Sequence, residues 1–212
     1  MPALLPPSSP RPARASHAGG RMQRGFSLLE VLVAIFVLSF GMLGMVGMQS
    51  FSLQANRQAR LASTAAGLVR EMGEMMRGNK DQARLTTNNP YVGNFTAPLT
   101  PTTAEYCMNV SNASTGCTSG LAIANAQMTE WLSRVNSELP SPRVQICFDN
   151  QPYDSNNLPQ WGCNGTGAGD LVMYVKIAWT QTSTDRSDTG SAAFVQASTR
   201  PILIVPITAG NS

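Results

Sequence analysis

The chain has 212 residues, room for one domain of ordinary size plus an appendage. Its formal net charge of +3 is unevenly placed: Arg11, Arg14, Arg21 and Arg24 precede Phe26 with no acidic residue among them, and from Phe26 onward eleven Lys/Arg stand against twelve Asp/Glu. A nucleic-acid-binding face needs clustered cations on the folded domain, and the sequence past Phe26 offers none.

Residues 1–21 are rich in Pro, Ala, Ser and Arg and carry no apolar period, which predicts disorder. The compact string Met22-Gln23-Arg24-Gly25 that follows makes Met22 the expected start of translation, with residues 1–21 an artefact of start-site choice. From Phe26 to Met48 runs FSLLEVLVAIFVLSFGMLGMVGM, whose only charge is Glu30. At helical rise it spans roughly 34 Å, enough for a bilayer core. A secretory signal has a shorter apolar stretch and a small-x-small cleavage site behind it, and QSFSLQANRQAR offers no such site. Arginine flanks the run on its N-terminal side, so the positive-inside rule expects residues 1–25 in the cytoplasm and the chain beyond Met48 outside.

The helical pattern continues past the apolar run. Residues 49–77 lack Pro, and Phe51, Leu61, Ala65, Leu68, Met72 and Met75 recur at helical spacing opposite Arg57, Arg60 and Arg70. Gly78-Asn79 is the expected stop, giving a rod of about 78 Å, apolar all round in its first half and amphipathic in its second. Residues 79–120 are turn-rich and read mostly as loop. Residues 121–139 predict a second helix, with Leu121, Met128, Trp131, Leu132, Val135 and Leu139 near one face and Pro140 as its end.

Three strand signals follow. Residues 143–149 alternate through Val144, Ile146 and Phe148; residues 170–180 place Leu171, Met173, Val175, Ile177 and Trp179 on one face and Tyr174, Lys176 and Ala178 on the other. The run 193–208 is the third, and the linker TSTDRSDTGS makes the last two a candidate hairpin. Pro201 and Pro206 cannot donate ladder hydrogen bonds, which favours an edge position for the last strand. The expected fold is therefore α+β: a long N-terminal helix whose second half packs on an antiparallel sheet, with disulfide-pinned loops in a globular domain over 79–212.

Cys107, Cys117, Cys147 and Cys163 form no CxxC pair, and no His lies beyond residue 17 to complete a zinc site or a Ser-His or Cys-His dyad. An even count argues for disulfides and an oxidising compartment. Of three possible connectivities the sequential one, Cys107–Cys117 with Cys147–Cys163, is preferred, each short loop being of the size worth about 3 kcal/mol. Asp149-Asn150 through Asp154-Ser155-Asn156-Asn157 offers oxygen ligands for calcium but lacks a known loop spacing, so a solvated turn is favoured. Trp131 and Trp179 sit on apolar faces and read as core, whereas Trp161 lies in a Pro/Gly/Asn loop and is a candidate contact residue.

The string Arg24-Gly25-Phe26-Ser27-Leu28-Leu29-Glu30-Val31-Leu32-Val33-Ala34 resembles the class III signal of type IV prepilins and pseudopilins. The resemblance implies cleavage between Gly25 and Phe26 by a membrane-bound prepilin peptidase, N-methylation of Phe26, and pairing of the Glu30 carboxylate with the N-terminal amine of a neighbouring subunit. Its specific part covers about thirty residues of the mature chain. GFSLLEVLVAIFVLSFGMLGMVGMQ, the helix ending Met128 to Pro140, the strand with Cys147 and the Tyr174 to Trp179 strand are also similar to PilV-type minor pilins, once called type IV pilus modification proteins. Gly41, Gly44 and Gly47 recur every three residues, a pattern that fits close helix approach as well as the general abundance of Gly in membrane helices. Many major pilins carry a helix-breaking Pro near the position of Gly47, and its absence here points away from a major pilin.

Implied partners are the prepilin peptidase, other minor pilins and the major pilin, the assembly platform and inner-membrane lipid. No cofactor, metal or nucleic acid is implied, and no catalytic residue. The implied location is the bacterial inner membrane, single-pass with the domain in the periplasm, and later the pilus. A type II secretion pseudopilin and, further off, a DNA-uptake pilin or an anchored enzyme are the alternatives.

Overall fold

A computed structural model describes residues 25–165, 172–183, 187–197 and 199–208. Most of the expected leader, the start-site question at Met22, and Leu171 of the third expected strand lie outside these residues. The chain divides into two compact units, one ending at Ser50 and one beginning at Phe51.

The first unit is the start of helix α1, which runs from Leu28 to Gly78 without a break. Ser27 initiates it, its carbonyl accepting from the amides of Glu30 at 2.9 Å and Val31 at 3.2 Å. Every residue from Gly25 to Ser50 is exposed. Ser39 Oγ donates to the Ile35 carbonyl at 2.7 Å and Ser50 Oγ to that of Val46 at 3.1 Å, so both hydroxyls are satisfied within the helix. Phe36 and Phe40, one turn apart, meet edge to face at 4.7 Å.

The second unit is built on the amphipathic half of α1. Ala65, Leu68, Val69, Met72 and Met76 recur at helical spacing and are buried. They pack in one core with helix α3 (Gly120–Glu138) and one face of a four-stranded sheet. Ser119 starts α3 as an N-cap, its hydroxyl accepting from the Ala122 amide. Two hydrogen bonds set α3 antiparallel to α1: Asn79 Nδ2 to the Gly120 carbonyl at 2.7 Å, and Trp131 Nε1 to the Leu68 carbonyl at 2.8 Å. Trp131 is fully buried, and that bond satisfies its only polar atom.

The sheet is antiparallel in the order β1-β2-β3-β6, with β1 Gly93–Thr96, β2 Arg143–Asp149, β3 Val172–Ala178 and β6 Leu203–Ile207. Val144, Ile146 and Phe148 of β2 pair with Ile177, Val175 and Met173 of β3, presenting an apolar face to the helices. The strand β6 lies at an edge, where Pro206, opposite Tyr174, leaves no inner ladder bond unmade. The expected hairpin is built in two storeys: β3 pairs with β6, while a small side ribbon, β4 (Gln181–Thr182) with β5 (Phe194–Val195), occupies the connection.

The stretch 79–120 is more structured than a loop. It holds α2 (Lys80–Ala83), β1 and a 3-10 turn at Val110–Asn112. A Cβ at Gly93, where β1 begins, would stand 2.3 Å from the Phe95 ring, so any larger residue there would make that ring move. Tyr91 just before it is buried, and its hydroxyl meets Gln127 Oε1 at 2.5 Å. Four residues carry too weak an alternation to declare a strand, and β1 exists because β2 offers it an edge.

Candidate functional site

Gly25, Phe26 and Ser27 are non-helical and exposed ahead of α1, with Phe26 82 % accessible. Among the described residues, and apart from its chain neighbours, nothing lies within 4 Å of where a Cβ on Gly25 would stand. Glu30 lies in the first turn of α1, where a carboxylate complements the positive end of the helix dipole. It shares a face with Phe26 one turn before it, in a shallow concavity completed by Val31, Ala34, Ile35 and Leu38. The charge therefore stands at the rim of an otherwise apolar surface.

That surface continues on all sides. Leu28, Leu29, Leu32, Val33, Ile35, Phe36, Val37, Leu38, Phe40 and Leu43 are each more than half accessible. A Cβ added at Gly41, Gly44 or Gly47 would meet nothing within 4 Å among the described residues beyond the helix's own nearby backbone, so packing among them does not explain why these positions are Gly. Among the described residues, α1 is the one helix long and apolar enough to cross a membrane.

In the second unit the disulfides are Cys107–Cys117 and Cys147–Cys163, so the sequential connectivity is the one present. The second fastens residues 150–165 over the sheet face opposite the helices. Cys147 shares that face with Arg143, Gln145 and Asp149, and each makes a contact to the loop or the adjacent strand. The Arg143 guanidinium stands 4.3 Å from the centre of the Trp161 ring, and Gln145 Nε2 lies 3.0 Å from Cys163 Sγ. Lys176 Nζ donates to Asp149 Oδ2 and to the Gly162 carbonyl, with both side chains fully buried. Gly165 closes the loop, its amide donating to the Phe148 carbonyl at 3.1 Å; a Cβ there would stand 2.5 Å from that oxygen.

The loop roofs Lys176 on the strand face opposite Met173 and Val175. Trp161, the candidate contact residue, is half-buried against Arg143. Desolvation in that setting pushes the Arg143 pKa below its ordinary value. Trp131 and Trp179 lie in the core. The oxygen-rich turn is held by protein donors: Asp154 Oδ1 accepts from the amides of Asn156 and Leu158 at 2.9 Å, and Oδ2 from Arg200 Nη1 at 2.9 Å.

The buried Asp149–Lys176 pair escaped the sequence reading, although Cys147 carried a signal for it. A half-cystine on the face away from the helices requires its partner to cross that face, and the connecting chain then covers whatever lies beneath.

Compared with known families, residues 20–46 match the prokaryotic N-terminal methylation motif. No curated protein and no solved structure matches the chain. The motif match supports a protein of the type IV pilin or pseudopilin kind, and its apolar helix fits membrane anchoring.

Proposed function

We propose that the chain is a minor pilin of a type IV pilus system, similar to the PilV type, which primes or supports filament assembly at or near the tip. It is made as a prepilin and held in the inner membrane by residues 26–48, with the domain in the periplasm. The observation that carries this reading is the methylation motif placed on the start of a helix whose apolar surface is exposed among the described residues.

The chemistry follows from three residues. Gly25 lets a peptidase approach the backbone without meeting a side chain. Cutting after it frees an ammonium on Phe26, one turn from the Glu30 carboxylate, and that amine is the methylation site. A carboxylate at mid-membrane costs about 2.5–3.5 kcal/mol, less near the interface, so such residues are kept for a use. Pairing Glu30 with the amine of an adjacent subunit offsets the cost and fixes the register between neighbouring helices. Proteins that carry this motif are structural rather than enzymatic, and the role assigned here is mechanical.

Gly25→Arg blocks leader removal, read as a slower band on an immunoblot and a retained leader by N-terminal sequencing. Glu30→Ala leaves processing intact and lowers surface piliation. Normal processing of the first variant, or normal piliation of the second, removes the corresponding role. A type II secretion pseudopilin shares the motif and the long helix. Deletion separates the two readings: lost piliation and twitching with normal secretion supports the pilus, and the reverse supports the secretion system.

A further inference from the structure

We propose that Asn164 is a modification site, a deamidation point that the closed loop guards and that loss of the Cys147–Cys163 disulfide uncovers. The proposal holds whether or not the chain enters a filament. Asn164-Gly165 is the one Asn-Gly dipeptide in the chain. With no side chain on the second residue, nothing shields its peptide nitrogen from the asparagine before it. That nitrogen can attack Asn164 Cγ and close a five-membered succinimide. The side-chain amide departs as ammonia, carrying the proton that the peptide nitrogen gives up. One water then opens the ring on either side. The products are aspartate and isoaspartate, and in the second the backbone runs through Cβ and Cγ and is one carbon longer.

The folded loop restrains both reacting groups. The Gly165 amide donates to the Phe148 carbonyl at 3.1 Å, which ties up the attacking nitrogen. Asn164 Oδ1 accepts from the Asn150 amide at 3.3 Å, and Nδ2 lies 3.5 Å from Gln151 Oε1, so the side chain is held toward the other end of the loop. These holds last only while residues 150 and 164 stay together, and Cys163, bonded to Cys147, is the residue just before. Asn164 is exposed, so water is at hand and the protection is geometric. A less reactive pair would loosen the same closure. A Cβ at position 165 would stand 2.5 Å from the Phe148 oxygen, and Asn164 supplies the acceptor for Asn150. Isoaspartate would displace Gly165 from Phe148 by one backbone carbon, so the loop could not close again over Lys176 and Asp149. The change runs one way: a chain that has lost the disulfide stays marked after its cysteines are reoxidised.

The test incubates the full chain in detergent at mildly alkaline pH, in oxidised form, with Cys147→Ala and Cys163→Ala, and unfolded in denaturant. Mass spectrometry reads the gain from amide to acid, and the isoaspartate content, in the peptide holding residue 164. The disulfide-free chain should convert at least about tenfold faster than the oxidised one, because the loop opens more often. Conversion of the oxidised chain as fast as the unfolded one overturns the guard. Conversion in denaturant alone overturns the role of the disulfide, and none even there overturns the site. Asn136-Ser137, inside α3, gauges the rest of the fold. If it converts in the disulfide-free chain at its denatured rate, the whole unit has opened and a guard confined to the loop is overturned. Asn164→Gln, whose ring would be six-membered, should stay unmodified throughout; an equal mass gain there would move the reaction to another residue.

Discussion

Lys176 lies between Val175 and Ile177 in β3 and is as inaccessible to water as they are. An ammonium removed from water is tolerated only when paired and hydrogen-bonded, and here Asp149 and the Gly162 carbonyl do both. Asp149 in turn accepts the Gln151 amide at 2.9 Å, so little of its bonding capacity is left open. Lys176→Met leaves that carboxylate buried without its counter-charge and should cost about 3–5 kcal/mol in denaturant unfolding. Adding Asp149→Leu should recover much of the loss, because an apolar pair replaces an ionic one. A single-variant cost below about 1 kcal/mol would show that water reaches the pair. Strand alternation placed Lys176 with Tyr174 and Ala178 on the face opposite Met173, Val175 and Ile177, and the structure keeps Lys176 on that side. Alternation reports which way a side chain points, and it is blind to a loop laid on top.

At the level of elements, legibility follows the strength of the local pattern. Residues 121–139 and 143–149 were readable because each repeats its period several times between clear stops, and α3 and β2 form there within a residue. Strand β1 was not, since four residues hold two alternations and its pairing partner lies some fifty positions away. The 150–165 loop has no period at all and is held by particular bonds, of which the Asp154 carboxylate makes three. The Leu158 amide first, and then the Arg200 guanidinium, hold its carboxyl below the usual carboxylate range. A depressed folded pKa contributes stability that is complete above the unfolded value of about 3.9 and disappears as pH falls through the folded one. Asp154→Asn should therefore flatten the loss of stability on acidification, measured by unfolding at about pH 6 and about pH 2. An unchanged acid slope would mean the turn persists without its charge.

Over the whole molecule, the disulfides and the polar contacts act on the same pieces of chain. Replacing Cys147 and Cys163 by Ala should lower stability by about 3 kcal/mol. Combined with Lys176→Met the loss should be smaller than the two separate losses added, because one loop is being released twice. Full additivity in denaturant midpoints would place the two fasteners in independent regions. The motif matched at residues 20–46 was legible in the sequence because its whole pattern lies in one short continuous string. The contents of the second unit were less so, because burial there depends on distant segments meeting.

The bare surface of α1 before Ser50 carries a consequence for traffic. Each large aliphatic or aromatic side chain is worth about 1.5–3 kcal/mol when sheltered, so a subunit adrift in water would forfeit tens of kcal/mol. On the function proposed above, a dissolved pool of the subunit would not accumulate, and whatever received this rod would have to grip it before its previous surroundings released it.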